Sequence, residues 1–147
     1  MYASSQDIVE DAVPLSATTT SAVFTILVAD ENQVVSQMLA DFLESIHYHV
    51  IQTRSGSNLL KRIVETRPDL ILVDIQMPGM DGLEIIQQIR SHKNAMLAAT
   101  PIIALTALSM PGDRDRCLQA GANEYISKPV MLLDLAAMIH KLVGQMK

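Results

Sequence analysis

Short apolar runs of strand length alternate along this chain with segments in which apolar residues recur at helical spacing. The run over residues 24–29 is almost continuously apolar, as expected for a strand that is buried on both faces of a sheet. After it, apolar residues recur at intervals of three and four from Val35 to Ile46. That spacing predicts one buried face of a helix, and Asn32 is well suited to cap its start.

The same alternation continues to residue 143 and predicts four further pairs of a strand and a helix. Pro68 stops the second helix and Gly121 stops the fourth, whereas residues 92–100 are expected to form a loose connection. Five strands that are each followed by a helix predict an α/β domain with one parallel sheet covered on both faces. The further predicted strands are 49–53, 70–73, 102–105 and 124–127, and the further helices lie around 59–64, 81–91, 113–120 and 131–143.

The charged residues are unevenly distributed along the chain. In total there are 16 acidic and 11 basic residues, for a formal charge of −5. Residues 1–22 contain three acidic residues (Asp7, Glu10 and Asp11), seven Ser or Thr, and no Lys or Arg. This composition predicts a flexible acidic leader over 1–22, followed by a nearly neutral folded domain over 23–147.

Composition excludes several classes of function. The acidic balance and the scarcity of aromatic residues (five, with no Trp) argue against a surface that binds nucleic acid. The single cysteine, Cys117, cannot form an internal disulfide and fits a reducing compartment. No apolar run approaches the ~18 residues of a membrane span, and the start of the chain does not resemble a signal peptide. We therefore expect a cytoplasmic protein that does not insert into membranes.

Polar residues suited to binding a metal and a phosphoryl group follow four of the predicted strands. Asp30 and Glu31 follow the first strand, Asp74 the third, Thr106 the fourth and Lys128 the fifth. Ligands of open parallel sheets bind beyond the carboxyl ends of the strands, so we expect these side chains to converge. Carboxylates brought together repel each other unless a cation intervenes, and Mg²⁺ prefers such hard oxygen ligands. An acidic pocket with one lysine and one hydroxyl is suited to phosphoryl transfer.

Four stretches of the chain resemble the motifs of one known family, in the same order and at the same spacing. Over residues 23–147 the chain is similar to a response-regulator receiver domain, the phospho-accepting module of two-component signalling. The resemblance implies a doubly wound, flavodoxin-like sheet with strand order 2-1-3-4-5, as in chemotaxis regulators. The four stretches are ILVADEN at 26–32, DLILVDIQMPGMDG at 69–82, PIIALTA at 101–107 and AGANEYISKP at 120–129.

The resemblance also implies roles for the acidic residues. Asp74 corresponds to the aspartate that accepts a phosphoryl group from a phosphohistidine, carried by a sensor histidine kinase or a histidine phosphotransfer protein. Asp30 and Glu31 correspond to the acidic pair that holds Mg²⁺ together with Asp74 and the main-chain carbonyl of Gln76. Glu31 stands where the family usually has Asp, and its longer side chain predicts a shifted or water-mediated contact with the metal.

The remaining positions correspond to residues that bind the phosphoryl group or switch conformation. Thr106 would hydrogen-bond one phosphoryl oxygen and Lys128 would pair with another, while Tyr125 would reorient its ring as Thr106 moves. Lys128–Pro129 matches a peptide bond that is cis in the family. His47 stands where the family commonly has Gly at the end of the first helix, which predicts a positive φ with modest strain.

The last predicted helix carries more apolar residues than it needs to cover a sheet. Of the 14 residues at 130–143, 11 are apolar, whereas one stripe is sufficient. We expect the surplus, together with the helix at 113–120 and the fifth strand, to form a surface for a second copy or a downstream target, as that face does in many receivers. The inward stripe is predicted to be Leu132, Leu135, Ala136, Ile139 and Leu142, with Met131, Leu133, Ala137 and Met138 pointing elsewhere.

The sequence leaves alternatives open. Glu31 favours a pseudo-receiver that is not phosphorylated and acts as an interaction scaffold. An aspartate-nucleophile phosphatase usually has a second Asp two residues after the nucleophile, where this chain has Gln76. A receiver would be a regulator with only slow self-dephosphorylation, not an enzyme. Since no output domain follows the last helix, we expect a stand-alone regulator, a phosphorelay intermediate or a piece of a hybrid kinase.

Overall fold

A five-stranded sheet positions the residues of the candidate site. The computed structural model describes residues 23–107 and 110–144, so the leader predicted over 1–22 lies outside the described residues. All strand pairs are parallel and the order is β2-β1-β3-β4-β5, which confirms the predicted topology. The strands are β1 (Thr25–Ala29), β2 (His49–Thr53), β3 (Leu70–Asp74), β4 (Ile102–Thr106) and β5 (Glu124–Ser127).

The described residues contain six helices, one more than the sequence pattern predicts. The additional helix, α4, spans only four residues of the connection that was expected to be loose. The side-chain oxygen of Asn94 caps it by accepting the N–H groups of Met96 and Leu97, and four residues are too few for helical periodicity to show. None of the six is long and apolar enough to cross a membrane. The helices are α1 (Gln33–Ser45), α2 (Leu59–Thr66), α3 (Gly82–Arg90), α4 (Ala95–Ala98), α5 (Asp113–Ala120) and α6 (Leu132–Gly144).

Each face of the sheet has its own apolar core. Helices α2, α3, α4 and α5 cover one face, and α1 and α6 cover the other. Side chains alternate along β1, so Leu27 packs in the first core while Ile26 and Val28 pack in the second. Every residue of the central strand β3 is buried. Burial on both faces explains why this strand is continuously apolar up to Asp74.

Local sequence signals set the ends of the helices next to the candidate site. Asn32 caps α1 and Asp81 caps α3, each by accepting two backbone N–H groups on its side chain. His47, just after α1, has a φ of 78°, which confirms the predicted left-handed backbone there. At Gly82 an added Cβ would lie 2.3 Å from the Cα of Ile75, so only glycine lets α3 begin so close to the loop after β3.

Of the predicted inward stripe of helix α6, three residues are buried, and Leu132 and Ala136 are partly buried. Leu135 and Ile139 are buried, whereas Leu133 is 80% exposed and Met131 is 65% exposed, as predicted. The expectation for Met138 is wrong, because this side chain is partly buried and packs against the core on the α1 and α6 face. It lies three residues after Leu135, which places it at the flank of the buried stripe rather than opposite to it.

Arg90, at the end of α3, links three connections on one face of the sheet. Its guanidinium donates to the carbonyl groups of Ala98, Thr100 and Gly121 at 2.6–2.8 Å, and to Oδ1 of Asn123 at 2.7 Å. A Cβ on Gly121 would lie 2.6 Å from Cγ of Arg90, so the arginine needs a glycine at this position. One charged side chain therefore holds α3, the end of α4 and the turn before β5 together.

We expect the Arg90→Ala substitution to lower the free energy of unfolding by about 3 kcal/mol, because several carbonyl groups lose a charged donor. Arg90→Lys should recover only part of this loss, since an ammonium group cannot reproduce the planar fork of donors. Urea denaturation measures both effects as shifts of the midpoint at constant slope. The control is Arg114→Ala, which removes an exposed arginine from α5. An equal shift in the control would contradict the role assigned to Arg90.

Candidate functional site

The polar residues predicted from the strand ends lie at the carboxyl edge of four neighbouring strands, β1, β3, β4 and β5. Asp74 is the last residue of β3, and Asp30 directly follows β1. Thr106 is the last residue of β4, and Lys128 directly follows β5. The strand order places β3 between β1 and β4, which puts Asp74 at the centre of the group. The Lys128–Pro129 peptide bond is cis, as expected.

Lys128 joins the two buried carboxylates of the site. Its Nζ donates to Oδ2 of Asp74 at 2.8 Å and lies 2.7 Å from Oδ2 of Asp30. Asp30 is fully buried and Asp74 is only 6% exposed. Two carboxylates this close and this buried would repel strongly without a cation between them. The ammonium group of Lys128 supplies that cation.

The other oxygen of each carboxylate is held by the main chain. Oδ1 of Asp74 accepts the N–H of Gln76 at 2.9 Å, and Oδ1 of Asp30 accepts the N–H of Asn32 at 2.9 Å. Each aspartate thus bonds to the backbone two residues ahead, which orients its side chain toward the edge of the sheet. Oδ2 of Asp30 is buried, and among the described residues its one polar partner is the ammonium group of Lys128.

Two opposing effects act on the ammonium group of Lys128. Burial lowers its pKa. The two aspartates, Asp30 and Asp74, outweigh that effect through their hydrogen bonds and their negative charges, so the pKa of Lys128 is raised above its ordinary value. Lys128 is therefore protonated whenever the domain is folded at neutral pH. A positive charge is therefore held directly beside the carboxylate of Asp74.

Thr106 and Gln76 form a contact that the sequence reasoning missed. The hydroxyl of Thr106 donates to the side-chain carbonyl oxygen of Gln76 at 3.2 Å. The sequence had assigned a role only to the main-chain carbonyl of Gln76. A residue two positions beyond a strand-end aspartate lies at the same edge as the neighbouring strand's last residue, and that placement could have indicated the contact.

Tyr125 lies on β5, the strand that pairs with the one ending in Thr106. It is in register with Ala104, two residues before Thr106 on β4. Its ring is half-buried and packs against the core on the α2 to α5 face. The structure therefore places the predicted switch residue next to the strand that ends in Thr106.

Glu31 is the predicted site residue that the structure does not bring into the cluster. It is exposed, and no group of three His, Cys, Asp or Glu side chains within 23–107 and 110–144 is arranged to hold a metal ion. The donors that do converge still fit Mg²⁺, which commonly binds proteins through one or two carboxylates and keeps several waters. Asp30 and Asp74 provide two carboxylates, and the buried Oδ2 of Asp30 has no polar partner except Lys128 among the described residues.

Comparison with known proteins gives the family. Residues 26–140 match the family model described as the response regulator receiver domain. The chain belongs to the response regulator receiver family. Receivers of two-component signalling are regulatory domains that generally use Mg²⁺ and typically interact with histidine kinases or phosphotransfer proteins. The fold and the strand-end motifs of this receiver agree with that membership.

Among its relatives is the polar-differentiation response regulator DivK of Brucella ovis, which is 38% identical over 105 residues, covering 71% of this chain and 84% of that protein. A putative response regulator from Chloroflexus aurantiacus has 29% identity and a TM-score of 0.77, with coverage of 83% and 98%. The signal receiver domain of a signal transduction histidine kinase from Syntrophus aciditrophicus has 32% identity and a TM-score of 0.77, with coverage of 85% and 93%. The similarity thus extends over most of each protein.

The raised pKa of Lys128 predicts a loss of stability at alkaline pH. A group whose pKa is higher in the folded chain stabilises the fold fully below its unfolded-state pKa of ~10.4, and this contribution is lost as the pH rises through the folded-state value. We therefore expect the free energy of unfolding to decrease above about pH 10.4 in the unsubstituted receiver and to decrease less in Lys128→Met. At neutral pH, Lys128→Met should be less stable by on the order of 3 kcal/mol, because two buried carboxylates lose their cation.

Urea denaturation across this pH range measures both effects. Lys141→Met is the control, since Lys141 forms a more exposed ion pair with Glu124 at 3.5 Å. Its profile should follow that of the unsubstituted receiver. A Lys128→Met variant with the same alkaline decrease as the control would show that Lys128 does not stabilise the site in this way.

Proposed function

We propose that Asp74 accepts a phosphoryl group from a phosphohistidine. The observation that supports this most directly is the pairing of Asp74 with Lys128 at the carboxyl edge of the sheet, beside the buried Asp30. In the reaction, an oxygen of Asp74 attacks the phosphorus while the bond from phosphorus to the imidazole nitrogen breaks. The products are an acyl phosphate on Asp74 and a neutral histidine, which takes up one proton.

The residues around Asp74 are suited to stabilising the charge of the phosphoryl group. Lys128 carries a positive charge and would move part of its contact from Asp74 to a phosphoryl oxygen. Thr106 would turn its hydroxyl from Gln76 to another phosphoryl oxygen. Both changes replace an existing hydrogen bond by one to a more highly charged acceptor, which favours the phosphorylated state.

We propose that Asp30, Asp74 and the main-chain carbonyl of Gln76 would hold Mg²⁺, with Glu31 contributing from its exposed position. When bound, the metal would neutralise charge on the phosphoryl oxygens. Asp30 is the central residue of this proposal because it is fully buried and, within the part of the chain that the structure describes, its Oδ2 has Lys128 as its one polar partner. The proposal does not require Glu31 to contact the metal directly, since a longer side chain at the rim can act through water.

We propose a sensor histidine kinase or a histidine phosphotransfer protein as the phosphodonor, and a cytoplasmic location. Relatives of both organisations occur, since one similar receiver belongs to a histidine kinase and another similar protein is the response regulator DivK. The similarity to both is consistent with a stand-alone regulator, a phosphorelay intermediate or a domain of a hybrid kinase. A pseudo-receiver scaffold is the alternative, and it depends on Glu31 preventing metal binding.

The receiver should gain one phosphoryl group when it is incubated with Mg²⁺ and acetyl phosphate, a small phosphodonor. Intact mass measures this as a single adduct, because the nucleophile and the charges around it are all in one chain. Asp74→Asn should give no adduct, since the amide cannot attack phosphorus. Asp69→Asn is the matched control, because Asp69 lies at the opposite end of β3.

Other outcomes of the acetyl phosphate experiment would favour one of the alternative functions or a different acceptor residue. No adduct in the unsubstituted receiver at any Mg²⁺ concentration would contradict the phosphoacceptor function and favour the scaffold. An adduct that persists in Asp74→Asn would contradict the assignment of Asp74. Rapid repeated hydrolysis of phosphate esters would favour the phosphatase.

The proposed output surface combines α5, β5 and α6. Leu133 of α6 is exposed, and so are Met131 just before α6 and Met110 just before α5. We propose that phosphorylation changes this face through Thr106 and Tyr125, and that the face contacts a second copy or a downstream target. Exposed apolar side chains at one face of a monomer are typical of a surface that binds another protein.

Beryllofluoride, which mimics the phosphoryl group, should shift the NMR signals of the Tyr125 ring and of amides across α5, β5 and α6. In Thr106→Ala it should shift the signals near Asp74 but not those of Tyr125, because the hydroxyl that couples the two is missing. The ring signals of Tyr48, on the opposite side of the sheet, serve as the internal control. Identical Tyr125 shifts in both proteins would contradict coupling through Thr106. Light scattering on the same samples shows whether a second copy binds.

A further inference from the structure

A cavity lies at the end of the sheet opposite to Asp74. It has a volume of about 560 Å³ and lies between the end of α2, the start of β3 and the short helix α4. This volume is within the range of ~300–1,000 Å³ that is typical of ligand pockets. One full strand length, that of β3, separates it from the phosphoacceptor edge. None of the roles proposed above involves this cavity.

The walls of the cavity combine apolar side chains with two positively charged side chains. Val64 and Leu97 contribute apolar wall, and Met96 is 84% exposed beside them. Arg67 and Lys93 are exposed at the rim, and neither forms an ion pair with another residue of the described part of the chain. A suitable occupant therefore carries both apolar and acidic groups.

The amino-terminal part of the chain enters the fold at this same cavity. Asp69, which lines the cavity, accepts the N–H of Thr25 on its side chain at 2.8 Å. Thr25 is the first residue of β1, so the residues before it begin next to the cavity. The chain from Leu15 to Val23 can span at most about 26 Å, which is enough to reach back over a cavity of this size.

We propose that residues 7–15 occupy this cavity. Their sequence, DIVEDAVPL, combines three acidic residues with apolar ones and contains no Lys or Arg. The acidic residues Asp7, Glu10 and Asp11 complement Arg67 and Lys93, and the apolar residues match the apolar walls. A short connection holds the segment at a high effective concentration, so even weak contacts suffice. Two copies of this rim would repel each other, which disfavours direct pairing of the cavity with itself.

Paramagnetic relaxation in the full chain tests this proposal. A nitroxide attached to Ser5→Cys, in a chain that also carries Cys117→Ser, should weaken the amide signals of Lys93, Met96 and Leu97 at least twofold. Signals at the opposite edge of the sheet, such as that of Asn32, should not change. Reversing the rim charges with Arg67→Glu and Lys93→Glu should remove the effect, as should ~1 M salt, which screens charges beyond ~3 Å.

The matched control reverses two exposed charges of α2 that do not line the cavity, with Lys61→Glu and Arg62→Glu. It changes the net charge equally and should leave the signal loss intact. Equal loss of the effect in the control, or weakening confined to the amides next to Thr25, would overturn the proposal. A mixture of isotope-labelled chains and spin-labelled chains distinguishes the source of the segment. Weakening that occurs only between different chains would mean that a second copy supplies it, which also overturns the proposal.

Discussion

The contact of Lys128 with Asp30 and Asp74 is the interaction on which the rest of the site depends. A parallel sheet ends its strands at one edge, and here that edge carries two carboxylates that are almost completely buried. Left alone, these charges would repel each other and would oppose the packing of β1 against β3. The ammonium group after β5 lies within 2.8 Å of both and removes this conflict. The charge balance of the site is thus built from three different strands.

The same balance explains how the receiver could respond to a phosphoryl group. An ion pair that is satisfied in the resting state has to be rearranged when a new anion reaches Asp74. Lys128 and the hydroxyl of Thr106 both have partners that they can exchange, namely Asp74 and Gln76. The strand carrying Thr106 also pairs with the strand carrying Tyr125, and in the proposed mechanism this pairing would carry a change at the edge to the face formed by α5, β5 and α6.

Sequence patterns predicted the capped start of α1 and the convergence of Asp30, Asp74 and Lys128, whereas the family resemblance implied the sheet order and the positive φ of His47. The cap and the convergence depend on local spacing and on the rule that parallel strands end at one edge. Helix α4 was not predicted, because four residues are too few to show helical periodicity. The prediction for Met138 was wrong because this residue borders the buried stripe. The contacts of Arg90 could not be predicted, because they join segments that are distant in sequence.

By itself the sequence determined the fold, the family resemblance and the set of residues at the strand ends, because apolar periodicity and motif spacing are properties of the linear chain. Only the tertiary structure decided how those residues contact one another. It bonded Thr106 to the side chain of Gln76, left Glu31 exposed and gave Oδ2 of Asp30 no partner but Lys128 among the described residues. The physical reason is that side-chain contacts across strands depend on distances set by the packing of the whole domain, which no local pattern records.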